Sequence, residues 1–543
     1  MGMRGGRGRA RLRSVALIVL GCGSASGSAG CYYAEDCARS FTCHPLPGET
    51  PPALPASPCD GDPATSPAKD GCGVFVARHG DDASDGTREA PVRTLRRAVE
   101  KATEPGGTRR VYACAEDFEE AVTLPSGVAI WGGRDCGAEA WTWGGGESFT
   151  GIAPEPGRVP LTVEARQESR TSAVFGVRLV AADAVRPSGS SIGMIVGEGA
   201  AVEVVSSEIL AGDGADGADG ESAPQGEPWR APDGAPGHPG APGCLADWAA
   251  GAPAPVTVCE DGTTSIGGAG GDGDVAAGGD GAEGAPALHE APGSGAVDDG
   301  EGGKGGAMSC TPGKRGGDGK PGTNGVGGGT GLEEPLKYGS ISAHGWQGFS
   351  GQEGQSGGIG QGGGGGGGVG PNGQCRPVDP QGGPSGGSGG GGGCGGRGGR
   401  GGGYGGGSFG IIALHAHVLV DKTDIITGNG GRGGNGGRGQ EGGKGGPRGA
   451  PGAIPGTAYF ACEGGFGGTG GKGGHGGGGL GGISVAVARV DSSVHLTESA
   501  RWSPSGAPGA GGFGPDPDEE PAKGQPGMSS PLWDFPELDV PPQ

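Results

Sequence analysis

The chain has 543 residues, of which 140 are Gly and 45 Pro, and only 32% are apolar and 5% aromatic, which excludes one hydrophobic core running through the whole length. Acidic residues number 61 against 39 basic ones, a formal charge of −22, so the chain lacks the electrostatic footprint of a nucleic-acid binder. Acidity of this size suits solubility in a wet exterior or loose binding of divalent cations, and does not choose between them.

The predicted elements begin with an export signal over residues 1–21. Arg4, Arg7, Arg9, Arg11 and Arg13 precede the apolar run Val15–Leu20, which is too short to span a bilayer. The segment Val19-Leu-Gly-Cys22 resembles a bacterial lipobox. That resemblance implies cleavage before Cys22, acylation of Cys22 and a membrane anchor, and Gly23 in place of Asp implies sorting to the outer membrane. Leu20 is bulky for its place in the motif. Ser28-Ala-Gly-Cys31 is a rival with smaller residues and no adjoining apolar run, and a plain secretory signal is the third reading. The expected location is thus the outer membrane or the extracellular space.

Fourteen cysteines agree with export, where disulfides rather than zinc are the default, and no CxxC pair occurs. Lipidation of Cys22 leaves thirteen, an odd number; lipidation of Cys31 leaves twelve. Residues 22–70, with Cys31, Cys37, Cys43 and Cys59 among prolines, read as a disulfide-pinned stalk. Next, Val74–Ala77 reads as a strand and Gly80–Pro91 as a turn-rich loop. Val92, Leu95, Val99 and Ala102 lie at near-helical spacing, an amphipathic helix with Pro91 near its first turn. Short apolar runs follow at Val111–Cys114, Ala121–Leu124, Val128–Trp131, Leu161–Val163, Val174–Ala182, Ile192–Val196, Ala201–Val205 and Glu208–Leu210. Many short strands with little helix between them predict a mainly β fold.

The stretch FVARHGDDASDGTREAPVRTLRRAVEKA, followed by VYACAEDFEEAVTLPSGVAIWGG, resembles the opening of bacterial surface proteins with a pectin-lyase-like, right-handed parallel β-helix. The resemblance covers residues 71–210 and implies a helix that caps the first coil. Physically, each coil has too little core to stand alone and needs a neighbour and a cap. Val92, Leu95 and Val99 would supply that cap.

An internal repeat organises the rest. SSEILAGDGADG (206–217) parallels KTDIITGNGGRG (422–433), and apolar runs opened by Gly193 and Gly410 accompany them, with a third opening at Gly482. The expectation is a β-helix interrupted twice at one equivalent turn: glycine-rich inserts at 211–407 and 427–481, coils at 408–426 and 482–499, and an acidic, Pro-rich disordered tail at 500–543. Within the inserts, GADGADG and GAPGHPGAPG place Gly at every third residue, as a collagen helix requires. The period slips between them, against a continuous triple helix. Gly-Gly-X runs have the period of polyproline II, whose strands can pack through bare glycine edges. In texture they resemble the glycine-rich domains of PE-PGRS proteins and glycine-rich antifreeze proteins; the PE segment is absent. A flexible linker is the alternative, against which six cysteines in the inserts argue.

No catalytic, cofactor or metal site is assigned. Asp81, Asp82 and Asp85 read as turn and helix-capping residues, and Glu116, Asp117, Glu119 and Glu120 as a solvated rim. His415 and His417 alternate on an expected strand and share a face. GGDGDVAAGGDG (270–281) is similar to calcium-binding β-roll repeats but occurs once, at the wrong spacing, so Ca²⁺ is only a weak signal. Trp131, Trp141 and Trp143 suit either sugar stacking or packing, and the seven-glycine run 362–368 has no P-loop lysine pattern. The expected function is a non-enzymatic surface lipoprotein with a structural, adhesive or matrix role, whose partners are the membrane and extracellular glycans or surface proteins. A polysaccharide-binding or polysaccharide-cleaving β-helix protein is the alternative.

Overall fold

The structure is a computed structural model and describes residues 59, 61–166, 170–226, 230–287, 300–311, 315–319, 322–327, 329, 337–375, 381–503, 506–515 and 523–537. The leader, Cys22 and the stalk cysteines Cys31, Cys37 and Cys43 lie outside the described residues. The described chain is mainly β, and parallel sheets of seven, six and six strands form its body.

Within the circuits of this body, from Arg110 onward, consecutive strands do not pair with each other. Each passes to the next sheet and pairs with the strand laid down one circuit earlier. Arg110–Cys114, Asp117–Phe118 and Val122–Pro125 make the first circuit; Ala129–Arg134, Thr150–Ile152 and Leu161–Glu164 the second; Ser172–Phe175, Val177–Ala181 and Ser191–Val196 the third. Alternation puts Val111, Phe118, Leu124, Ile130, Ile152, Leu161 and Met194 inside, in one continuous core column. The run Val174–Ala182, expected as one strand, turns a corner at Gly176, whose φ is +65°. Ser206 (φ +47°) and Lys422 (φ +45°) hold the same left-handed corner in later circuits. In these three circuits two strands escaped sequence reading, Asp117–Phe118 and Thr150–Ile152, because runs this short carry no period.

One end of the core column is closed by the helix Leu95–Thr103. Leu95, Ala98, Val99 and Ala102 are buried against the first circuit, with Val92 beside them, as the spacing predicts. Residues 61–72 lie along the flank of the seven-stranded sheet. Cys59–Cys72 closes this segment and Cys114–Cys136 pins the neighbouring strands. Between them Phe75, Tyr112, Trp131 and Trp141 form a second, aromatic cluster.

The fourth circuit runs Ala201–Val205, Glu208–Ala211 and then, nearly two hundred residues later, Ser408–Leu414. The fifth runs His417–Asp421, Asp424–Ile426 and Ser484–Val490. The two halves of the sequence repeat are therefore stacked neighbours, with Glu208 beside Asp424 and Ile209 beside Ile425. Both excursions leave at the same corner. The exit amides of Gly212 and Gly428 each donate to the serine that opens the returning strand one circuit earlier, Ser191 and Ser408. The third opening is corrected: Gly193 and Gly410 stack on Ala486, not on Gly482, because Ile411 pairs with Val487. The expected tail differs as well. Ser493–Leu496, Arg501–Ser503 and Ser529–Asp534 form a sixth circuit with a glycine thread between its last two strands, so two strands of the expected tail are built into the sheets.

The excursions are glycine threads held side by side by backbone hydrogen bonds at every third residue. Gly214, Gly217 and Gly220 donate to the carbonyls of Asn429, Arg432 and Asn435, and Gly387, Gly390 and Gly393 to those of Cys462, Gly465 and Gly468. At the centre, Gly363, Gly364 and Gly365 donate to Gly390, Gly317 and Ala282, while their carbonyls accept from Gly268, Gly465 and Gly303. Three consecutive residues thus bind six different threads. A Cβ anywhere from Gly362 to Gly368 would collide with a neighbouring backbone, which is why the seven-glycine run sits there. Three disulfides, Cys244–Cys375, Cys259–Cys394 and Cys310–Cys462, tie threads together across this coreless region.

Candidate functional site

The acids nearest the cap are occupied by the backbone. Asp82 Oδ1 accepts the amides of Arg93 and Thr94, each at 2.9 Å, and its Oδ2 accepts the Thr94 hydroxyl at 3.1 Å. Glu120, expected on a solvated rim, instead accepts the first helical amides, Leu95 at 2.7 Å and Arg96 at 3.2 Å. A carboxylate there satisfies donors that no helix can satisfy internally and sits at the positive end of the dipole. Asp81 accepts from Ala83 and Glu116 from Arg78, while Asp85, Asp117 and Glu119 are exposed.

The tryptophans are packing residues. Trp131 lies edge-to-face with Tyr112 at 5.6 Å, Trp141 with Phe75 at 5.0 Å and Trp143 with Phe175 at 5.1 Å. Among them is a fully buried arginine, Arg134, which donates to the carbonyls of Ser66 (3.1 Å) and Pro63 (2.8 Å) and faces the Trp131 ring at 5.2 Å. Burial lowers its pKa to about 10, a group that still carries its charge at neutral pH while fastening residues 61–72 to the sheet. His415 and His417 do not share a strand face: His415 is a corner residue with φ +46°, its Nδ1 3.7 Å from Asp491 Oδ2 in the next corner. In the calcium-like segment, Asp272 accepts the Gly251 amide and Asp280 the Gly305 amide and the Lys304 ammonium. The Gly305 bond, then Lys304, hold the Asp280 carboxyl below the usual range. Among the described residues no three metal-capable side chains converge, and no helix is long and apolar enough to cross a membrane.

Two surfaces stand out on the glycine threads. A cleft of about 540 Å³ beside Cys259–Cys394 is lined by Arg230, Glu260, Asp261, Arg397 and Gln440. Arg397 is ion-paired with Glu260, and the Thr263 hydroxyl and amide hold the Asp261 carboxyl below its ordinary value. The other surface is the hairpin Val256–Val258/Thr264–Ile266, whose amphipathicity is inverted. Thr257 and Ser265 point inward, where they accept the thread amides of Ala235 (2.9 Å) and Gly392 (2.7 Å). Val256, Val258 and Ile266 are consequently turned to solvent, 52%, 67% and 37% exposed. Sequence reading missed this ribbon because its strands are three residues each and lie within glycine- and proline-rich sequence, too short to carry a period.

No protein-family model, curated protein or solved structure matches this chain.

Proposed function

We propose that the three-sheet body is a right-handed parallel β-helix bearing a lattice of polyproline-II glycine threads, and that the protein is an exported, non-enzymatic surface lipoprotein with a structural or adhesive role, anchored through Cys22. The observation that carries this reading is the thread lattice. Its interior is filled largely by backbone, many of its aspartates accept backbone amides, and side chains are presented outward at three-residue intervals, as with Phe466, Thr469 and Lys472. Such a body makes a broad, stiff surface from little apolar material, and the exposed Val256–Val258–Ile266 ribbon adds a contact face to it.

The test uses the full chain expressed with its own leader in a Gram-negative host. Retention in the outer-membrane fraction, release of Cys22→Ser into soluble fractions, and no new sugar ends from a panel of plant and bacterial polysaccharides with or without Ca²⁺ are expected. Steady turnover would overthrow the non-enzymatic reading, and membrane retention of Cys22→Ser would remove the anchor.

A further inference from the structure

A second cleft, of about 580 Å³, lies where the sheet body meets the first glycine excursion. Three pieces of chain build it. Loop 153–160 of the second circuit brings Glu155, Arg158 and Val159; loop 182–190 of the third brings Arg186 and Ser188; the hairpin Ser340–Ser342/Gly345–Gln347 brings His344 and Trp346. Trp346 is a fixed wall: it is buried, its Nε1 donates to the Tyr338 carbonyl at 2.8 Å, and its ring stands edge-to-face against Tyr404 at 5.5 Å.

The two arginines are distinctive. Several guanidinium groups are engaged, Arg178 with Glu208, Arg448 with Glu463 and Arg110 over the Trp131 ring, while others such as Arg432 and Arg438 stand singly on the threads; Arg158 and Arg186 differ in lining one cleft together. Arg158 and Arg186 are exposed, line one cleft from adjacent circuits, and make no ion pair, ring contact or side-chain hydrogen bond among the described residues. On a chain of charge −22, two cations against the one carboxylate of Glu155 at a concave site leave it net positive and favour an anionic occupant. Planar guanidinium forks match the oxygens of a carboxylate, sulfate or phosphate, and His344 and Ser188 add polar groups for hydroxyls. Glu155 at the same cleft disfavours a second negative group. The ring of Trp346 and the side chain of Val159 supply apolar wall for the carbon face of a ring.

We infer that this cleft binds a small polyol carrying one oxyanion, of the class of sugar phosphates, sugar sulfates and uronic acids. The inference is independent of whether the protein is anchored or adhesive. It is tested by calorimetric titration of the purified full chain, at low and at physiological salt, with glucose 6-phosphate, glucose 6-sulfate, glucuronate, glucose and inorganic phosphate. At least one anionic sugar should bind, more weakly at higher salt, and glucose should not. Arg158→Ala and Arg186→Ala should each weaken binding roughly tenfold or more at unchanged melting temperature, whereas Arg438→Ala, away from the cleft, should not. Equal binding of glucose, no binding of any anionic sugar, or insensitivity to both arginine variants would overturn the proposal. Inorganic phosphate binding as tightly as glucose 6-phosphate would overturn its polyol part.

Discussion

At the scale of single residues, the threads follow a rule in which an acceptor side chain precedes a glycine. Asp213, Asp216 and Asp219 accept the amides of Asn429, Arg432 and Asn435 at 2.6, 2.6 and 2.7 Å, and the glycine after each aspartate donates to the carbonyl of that same partner. Both backbone groups of one residue are thereby held by two consecutive residues of the neighbouring thread. Asn324, Asn429 and Asn435 do the same for Lys472, Ala507 and Phe513. Charge is therefore not required, only a short side-chain oxygen. Asp216→Ala should cost about 1 kcal/mol in denaturant unfolding, and Asp216→Asn should restore most of it. In sequence these residues read as collagen-like triplets, because the amide each one meets is 216 positions away. The positions without side chains obey a complementary rule. A Cβ on Gly365 would run into the Ala269 carbonyl, whereas Thr469 faces outward. Gly365→Ala should lower stability by about 3 kcal/mol, and Thr469→Ala should stay within about 0.5 kcal/mol in the same measurement.

At the scale of elements, triplet composition reports depth. The thread 464–482 reads Gly-Gly-X through Phe466, Thr469, Lys472 and His475, then has glycine at the corresponding positions 478 and 481, where thread 506–514 lies over it. Reading the depth of a thread from its side chains was within reach of the sequence; which threads touch was not, since every thread carries the same three-residue period. The cap was legible for the opposite reason. Val92, Leu95, Val99 and Ala102 repeat at a spacing no other part of the chain shows, and all four are buried. Glu120 as the helix's N-terminal acceptor was illegible, being brought there by the first circuit rather than by its distance along the chain. Leu95→Ala opens the end of the core column. It should cost about 3 kcal/mol and speed amide exchange first in Arg110–Cys114 and Val122–Pro125, the strands under the helix.

At the scale of the whole molecule, the order of circuits was visible because each excursion leaves and returns at one corner, so the flanking strands kept enough likeness to be matched across 216 residues. The last two strands of the sixth circuit, Arg501–Ser503 and Ser529–Asp534, were missed because they lie among prolines and acids whose composition reads as a solvated tail. Stacking of this kind also orders assembly. Ala201–Val205 can pair with Ser172–Phe175 as soon as both exist, but the third strand of that circuit, Ser408–Leu414, waits for the whole first excursion. The early circuits are thus a template on which later ones are laid.

The lattice at the centre of the molecule has a thermodynamic signature. Its threads meet through amides and carbonyls, and unfolding them exposes peptide groups rather than hydrocarbon. Hydration of apolar surface raises the heat capacity on unfolding and hydration of polar surface lowers it. Scanning calorimetry should therefore give a heat-capacity increment clearly below the roughly 12–15 cal/mol/K per residue of ordinary globular proteins. A small increment flattens the curve of stability against temperature, and a protein held by its backbone in this way should lose little of its stability on cooling.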